Sequence, residues 1–388
     1  MGTLTDTPDA APASLPQWLQ QQAHRQGADV ALRHKHLGVW QARSWVQVAD
    51  EVRRLASALQ ARGFSAGATL TIISRPRPQA LLAALAAQWL GGVASLFDPL
   101  EGAAEQVQLL GTLQPDFVLV EGLEEMLRLR AAQVAARVLV YLDKRGLADS
   151  TPFVQALDYA ALVAEQPTNE RAPQGRVLQT AFVFYRRAGQ VIEEQRVSHA
   201  ELLQEGQRLV TREGLGRQEE ALAARAFASG GQARYLLAPW LIAGFRLNFP
   251  ENLATRDRDR RELGPTLVAG TRETYERLHR YALERLPAPG SGARGLVDWA
   301  LAGQPGLCKN TWVTGWCVGL CAMCWGFPGP ARRCWWGMPC RPRPRHFSWR
   351  WVSRFASGAM RPTGKYRRTL CSKPPMTGPG SSRNRPER

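Results

Sequence analysis

The chain has 388 residues, with 50 Lys and Arg against 33 Asp and Glu and a formal net charge of +17. Spread over one fold, that balance would point to nucleic acid or an anionic membrane surface. It is not spread: residues 308–388 hold 16 of the basic residues and one of the acidic ones, so the first 307 hold 34 and 32. All seven cysteines (Cys308, Cys317, Cys321, Cys324, Cys334, Cys340 and Cys371) also lie past Leu307.

The first 307 residues are thus nearly neutral, rich in Ala and Leu and free of cysteine. That length gives one large domain or two smaller ones a substantial core. The absence of cysteine suits a reducing compartment, and a cytoplasmic protein is expected. Met1 to Pro16 is polar, carries Asp6 and Asp9, and has no apolar run of signal-peptide length; residues 1–14 are expected to be a disordered lead-in.

From Leu15 onward helical and strand-like stretches alternate, as in an α/β domain with mostly parallel sheets flanked by helices. Ser44 to Gly63 is the clearest helix. Ser44 and Gln47 have capping-box spacing, Val48, Val52, Leu55 and Leu59 share a face, and Gly63 stands where a left-handed C-terminal residue is wanted. Strands are expected at Thr69–Ser74, Val93–Phe97, Phe117–Val120 and Val138–Leu142. Helices are expected near Gln79–Leu90, Ala103–Leu113 and Leu123–Ala136.

Ala148 to Gly175 carries Pro152, Pro167 and Pro173 and reads as a linker or surface excursion. After it, Thr180–Tyr185 is expected as a buried strand, Ser198–Val210 as a helix, Arg234–Leu237 as a strand and Thr271–Leu286 as a helix.

Several strings in this order resemble the N-terminal domain of the adenylate-forming superfamily, in its long-chain acyl-CoA synthetase branch. They are Trp40-Gln41-Ala42-Arg43-Ser44-Trp45, Tyr141-Leu142-Asp143-Lys144-Arg145-Gly146-Leu147, the run from Ala243 to Glu251, and Arg261-Glu262-Leu263-Gly264-Pro265-Thr266. The resemblance covers about Leu15 to Ala302, and implies a partial adenylate-forming N-terminal domain over 15–302. It implies an ATP-dependent long-chain fatty acid–CoA ligase: ATP and a fatty acid give acyl-adenylate and pyrophosphate, then coenzyme A displaces AMP. ATP with Mg, and CoA, are the cofactors it implies, and a fatty acid the partner.

Such enzymes handle phosphate with a flexible loop of the form Y-T-S-G-T-T-G-x-P-K-G-V-x-x-S-H, whose small residues let N–H groups and hydroxyls approach the oxygens. Here the stretch from Phe184 to His199 keeps the flanks and loses the loop. Tyr185, Gly189, Gln190, Ser198 and His199 remain as a degenerate remnant of the nucleotide-binding loop. With Ser198-His199 as anchor, Glu193 falls where the family has its loop lysine, and Arg186, Arg187 and Ala188 fall on its Ser, Gly and Thr. Carboxylates repel triphosphate, and Glu193 and Glu194 offset whatever Arg186 and Arg187 add. Ser198 and His199 are expected to cap and orient the next helix. Tyr235 to Pro250 is short for the family, as though a helix lining the acyl tunnel were missing.

The tail suggests three functions. Only Cys321 and Cys324 have clasp spacing, so no metal site is assigned. Asn310–Ala331 is uncharged and of bilayer length, but six Gly and Pro residues interrupt it. Arg341, Arg343, Arg345 and Trp349 suggest a nucleic-acid arm. One account covers all three: a GC-rich gene read out of frame. Shifted back one base, Trp312-Val313 must yield Gly, and Trp316-Cys317 and Met323-Cys324 must each yield Val. The stretch can then read D-W-L-V-C-G-P-L-R-D-V-L-G-L, as the family's own continuation does.

Residues 308–388 are therefore expected to be unstructured, out-of-frame sequence, with weak, nonspecific anion or membrane binding and no specific nucleic acid. The family's C-terminal lid and its adenylation lysine are then missing too, no catalytic residue is assigned, and an impaired or inactive ligase is expected. Two alternatives stay open: a non-enzymatic acyl- or partner-binding module, and a protein peripheral to the membrane through the uncharged tail segment.

Overall fold

A computed structural model describes residues 12–147, 156–165, 171–188, 191–270, 280, 284, 286–295, 333–334, 338–339 and 366–370 of the chain. The first helix, α1 (Leu15–Gln26), is capped by Ser14, whose hydroxyl accepts from the Gln17 N–H. Ser14 is fully buried, so order begins inside the expected lead-in. A hairpin of β1 (Val30–His36) and β2 (Val39–Ser44) follows, and Ser44 then opens α2 (Trp45–Ala61) with a complete capping box. Gly63, at φ +86°, ends that segment in the left-handed region.

Three strand-helix repeats and a fourth strand build the larger sheet: β3 (Thr69–Ile73), α3 (Pro78–Trp89), β4 (Val93–Phe97), α4 (Ala103–Leu113), β5 (Phe117–Val120), α5 (Leu123–Ala131) and β6 (Val138–Tyr141). Nearly every residue of α3 is buried, because the helix packs against α1, α2, β3 and β4 at once; a helix apolar on all sides belongs in such a place. Within the expected surface excursion lie β7 (Leu157–Asp158), paired to β6, and α6 (Tyr159–Glu165), packed on α2. The excursion therefore adds an edge strand to the sheet.

Next come β8 (Thr180–Ala188), β9 (Val191–Ser198) and α7 (His199–Glu213). The larger sheet has the order β9-β8-β4-β3-β5-β6-β7, parallel from β8 to β7 and antiparallel between β8 and β9. A smaller sheet combines the first hairpin with β10 (Glu220–Leu222), β11 (Arg246–Phe249) and β12 (Leu267–Val268), in the order β12-β10-β11-β1-β2. One core serves both sheets: Leu32, Leu247 and Phe249 of the smaller belong to the same buried cluster as Leu70, Ala94 and Phe182 of the larger.

Arg234–Leu237, expected as a strand, is helical. A continuous run comprises α8 (Gly230–Gln232), a π-helical turn (Ala233–Leu237) and α9 (Ala238–Ala243). Pro239 cannot donate an i−4 bond. The wide turn before it, closed by the Ala238 N–H on the Ala233 carbonyl, carries the chain past that defect. Trp240 of α9 stacks on Trp45 at 4.9 Å and donates to the Ala31 carbonyl at 3.0 Å, tying the run to the first hairpin.

A last helix, α10 (Arg256–Leu263), lies between β11 and β12. Most of the expected helix at Thr271–Leu286, and most of residues 308–388, lie outside the described residues. The described tail pieces are β13 (Arg333–Cys334) paired with β14 (Met338–Pro339), and β15 (Tyr366–Leu370), which runs antiparallel along β9. Those five residues are the longest described stretch of the tail. An edge strand with free N–H and C=O groups is a ready template, and Tyr-Arg-Arg-Thr-Leu has the composition to use it.

Candidate functional site

The phosphate-loop position is a β-hairpin. β8 and β9 pair from Thr180↔Ser198 to Ala188↔Val191, which leaves only Gly189 and Gln190 between them. Those two fall outside the described residues. Two residues of Gly-X type between strands is a hairpin signal, and it was there to be read in the sequence. Arg186 lies opposite Glu193, and its guanidinium donates to that carboxylate at 2.5 and 3.2 Å. Arg196 pairs with Glu194 in the same strand. Arg186, one of the two arginines that stand where phosphate donors are wanted, therefore already holds a carboxylate.

Tyr185 is half-buried, its ring stacked on Phe97 at 6.3 Å, and burial followed by the charge of Glu194 pushes its hydroxyl pKa up. Ser198 is the N-cap of α7: its hydroxyl accepts from the Glu201 N–H at 3.2 Å, and Glu201 accepts from the Ser198 N–H at 2.9 Å. His199 is fully buried at the first position of that helix, and its Nδ1 accepts from the Leu15 N–H at 3.3 Å. Burial lowers its pKa to about 4. The neutral ring thus docks the N-terminal helix α1 onto α7, and its other nitrogen faces Gly175.

This geometry does not fit ATP in the family's manner. Loop binding of triphosphate needs unengaged N–H groups on a bendable chain. Here Val191 to Gln195 lies in ladders on both sides, β8 on one and β15 on the other. Two carboxylates project from the same strand.

A second charged cluster, not anticipated from the sequence, stands at the C-terminal ends of β3, β5 and β6. Glu121, nearly fully buried, accepts from Arg75 Nε at 3.0 Å and from Arg77 Nε at 2.8 Å. Asp143 is held by Arg145, whose guanidinium keeps its carboxyl below the usual range. In open α/β sheets ligands favour this end. Among the described residues its guanidiniums are matched by carboxylates within the cluster itself, and no group of three or more His, Cys, Asp or Glu is arranged to hold a metal. No described helix is long and apolar enough to cross a membrane.

Residues 19–185 match the family model for AMP-binding enzymes. No curated protein sequence matches the chain. Among solved structures, the chain is similar to a long-chain-fatty-acid CoA ligase of Rhodopseudomonas palustris, at 17% identity and TM-score 0.56, over 66% of this chain and 62% of that one. It is similar to the anthranilate CoA ligase AuaEII, solved with anthranoyl-AMP, at 15% identity and TM-score 0.60, over 72% and 53%. The luciferase-like enzyme of the nonluminescent mealworm Zophobas morio gives 15% and 0.55, over 68% and 60%. The chain thus spans less than two thirds of each of these structures. Residues 19–185 therefore carry a match to the model for AMP-binding enzymes, and the chain shares its fold with these solved structures.

Proposed function

We propose that this chain derives from ATP-dependent acyl-CoA ligases of the long-chain fatty-acid class and that it does not form acyl-adenylate. The fatty-acid class rests on the sequence resemblance, and the ATP and CoA roles on the family. The observation that carries the second part is the hairpin. With Arg186 on Glu193 and Arg196 on Glu194, the phosphate-loop position offers a neutralised, laddered strand pair where a bendable donor loop is needed.

What the retained residues do is structural. Ser198 and His199 fix the start of α7 against α1, and Tyr185 packs on Phe97. The test is pyrophosphate release by the full-length protein, with ATP, Mg and fatty acids from medium to long chain. No release above the protein-free control is expected. Release that depends on added fatty acid would overturn the reading.

A further inference from the structure

We infer that Arg234 anchors a buried anion site at the start of the helical run that begins at Gly230, taking a small oxyanion: a phosphate or a carboxylate group. Arg234 lies on the π-helical turn and is 7% exposed. Its Nε and Nη2 are shielded from solvent and have no hydrogen-bond partner among the described residues, and no carboxylate there lies within ion-pair distance. The carboxylate whose charge acts on its neighbour Tyr235 is Glu205, which is paired with Arg208. A guanidinium cannot shed its proton, so burial without a counter-charge calls for an anion from outside.

The surroundings suit one. Helical side chains lean toward the N-terminus, so Arg234 reaches back over the first turn. A Cβ at Gly230 would sit 2.5 Å from Arg234 Nη1, so glycine there leaves the room the guanidinium fills. The Gln195 side-chain oxygen, an acceptor from β9, comes within 3.6 Å of the same point, on the Nη1 side of the guanidinium. Ser229 stands at the N-cap without its hydroxyl bonding to the helix; the Gln232 N–H is taken by the Ser229 carbonyl at 3.2 Å, which leaves those of Gly230 and Gly231 without a partner in the helix. A guanidinium fork supplies the paired donors that an oxyanion takes. π turns recur at such functional places.

This site stands apart from the proposed loss of adenylation, since binding an inorganic anion needs no ATP. The test is calorimetric titration of the full-length protein with sodium phosphate and, separately, with sodium acetate, at ionic strength held constant with chloride. Saturable binding of one of the two is expected, and which one identifies the class. Arg234→Met is expected to weaken it about tenfold or more. Gly230→Ala, which leaves the charge in place and crowds the guanidinium, is expected to weaken it as well and serves if the first variant does not fold. Absence of saturable binding of both anions, or equal binding by wild type and both variants, would overturn the site and leave Arg234 a buried charge alone.

Discussion

Lys35 shows how a single buried charge is kept in this fold. Its ammonium sits 3.0 Å from Asp259 and also holds Glu262, which in turn accepts from the Trp40 indole at 2.9 Å. Lys35 and Asp259 are almost fully buried, so each exists as an ion only because the other is there. Asp259→Ala leaves the ammonium with the half-exposed Glu262 alone and is expected to destabilise by about 3 kcal/mol, read from urea midpoints. Lys35→Met combined with Asp259→Leu should cost clearly less than the single change. His199 gives the pH counterpart. Its folded pKa of about 4 lies below the ordinary histidine value of 6.5, so the unfolded chain binds the extra proton between these values. Its contribution is present above pH 6.5 and is lost as pH falls toward 4, by about 3 kcal/mol in all. His34 is lowered to about 4 as well, by burial first and then by Arg77 and Arg43, and acts in the same direction. Only the difference between wild type and His199→Gln isolates His199: the variant should lose stability less steeply between pH 7 and pH 5, and parallel curves would refute the assignment.

At the scale of elements, close approach sets what can be changed. Gly206 lets α7 lie against α9: a Cβ there would come within 2.8 Å of Ala238 Cβ and 3.2 Å of the Ala238 carbonyl carbon. Backbone cannot swing aside as a side-chain tip can, so Gly206→Ala is expected to cost about 1–3 kcal/mol despite the better helix propensity of alanine. Thermal denaturation of the variant checks it, and an unchanged midpoint would mean that the helices separate freely. Elements with period and punctuation were legible in the sequence: β4, β5 and α4 fall on the expected residues, and the Ser44 capping box is made as its spacing implied. β9 was not legible. Val-Ile-Glu-Glu-Gln-Arg-Val breaks strict alternation, and a resemblance that places a loop there overrode the short Gly-Gln turn. The run from Gly230 to Ala243 was misread because Pro239 is a stop signal to local reasoning, while a π turn that accommodates it has no sequence signature. The Glu121 cluster joins residues far apart in the chain, and pairing of that kind is decided by topology.

For the whole molecule the division at Leu307 sets the expected behaviour. If residues 308–388 are frameshifted, the gene's own DNA carries the proof: read one base earlier past the Leu307 codon, it should run on as D-W-L-V and P-L-R in place of Trp and Cys. Whatever its origin, a tail with 16 basic residues, one acid and seven tryptophans attracts nucleic acid. That attraction is nonspecific by its physics. Phosphate contacts release counterions, so affinity falls steeply with salt, and without side chains set against base edges no sequence is preferred. β15 does not alter this, because it faces β9 through backbone pairing and occupies five residues of the tail. The full-length protein is therefore expected to bind single- and double-stranded DNA and RNA weakly at low salt, to release them toward physiological salt, and to lose the binding on truncation after Leu307. Competition among several unrelated sequences at physiological salt is the measurement, since a preference of about a hundredfold or more for one of them requires selected base contacts, which translation in the wrong frame does not supply.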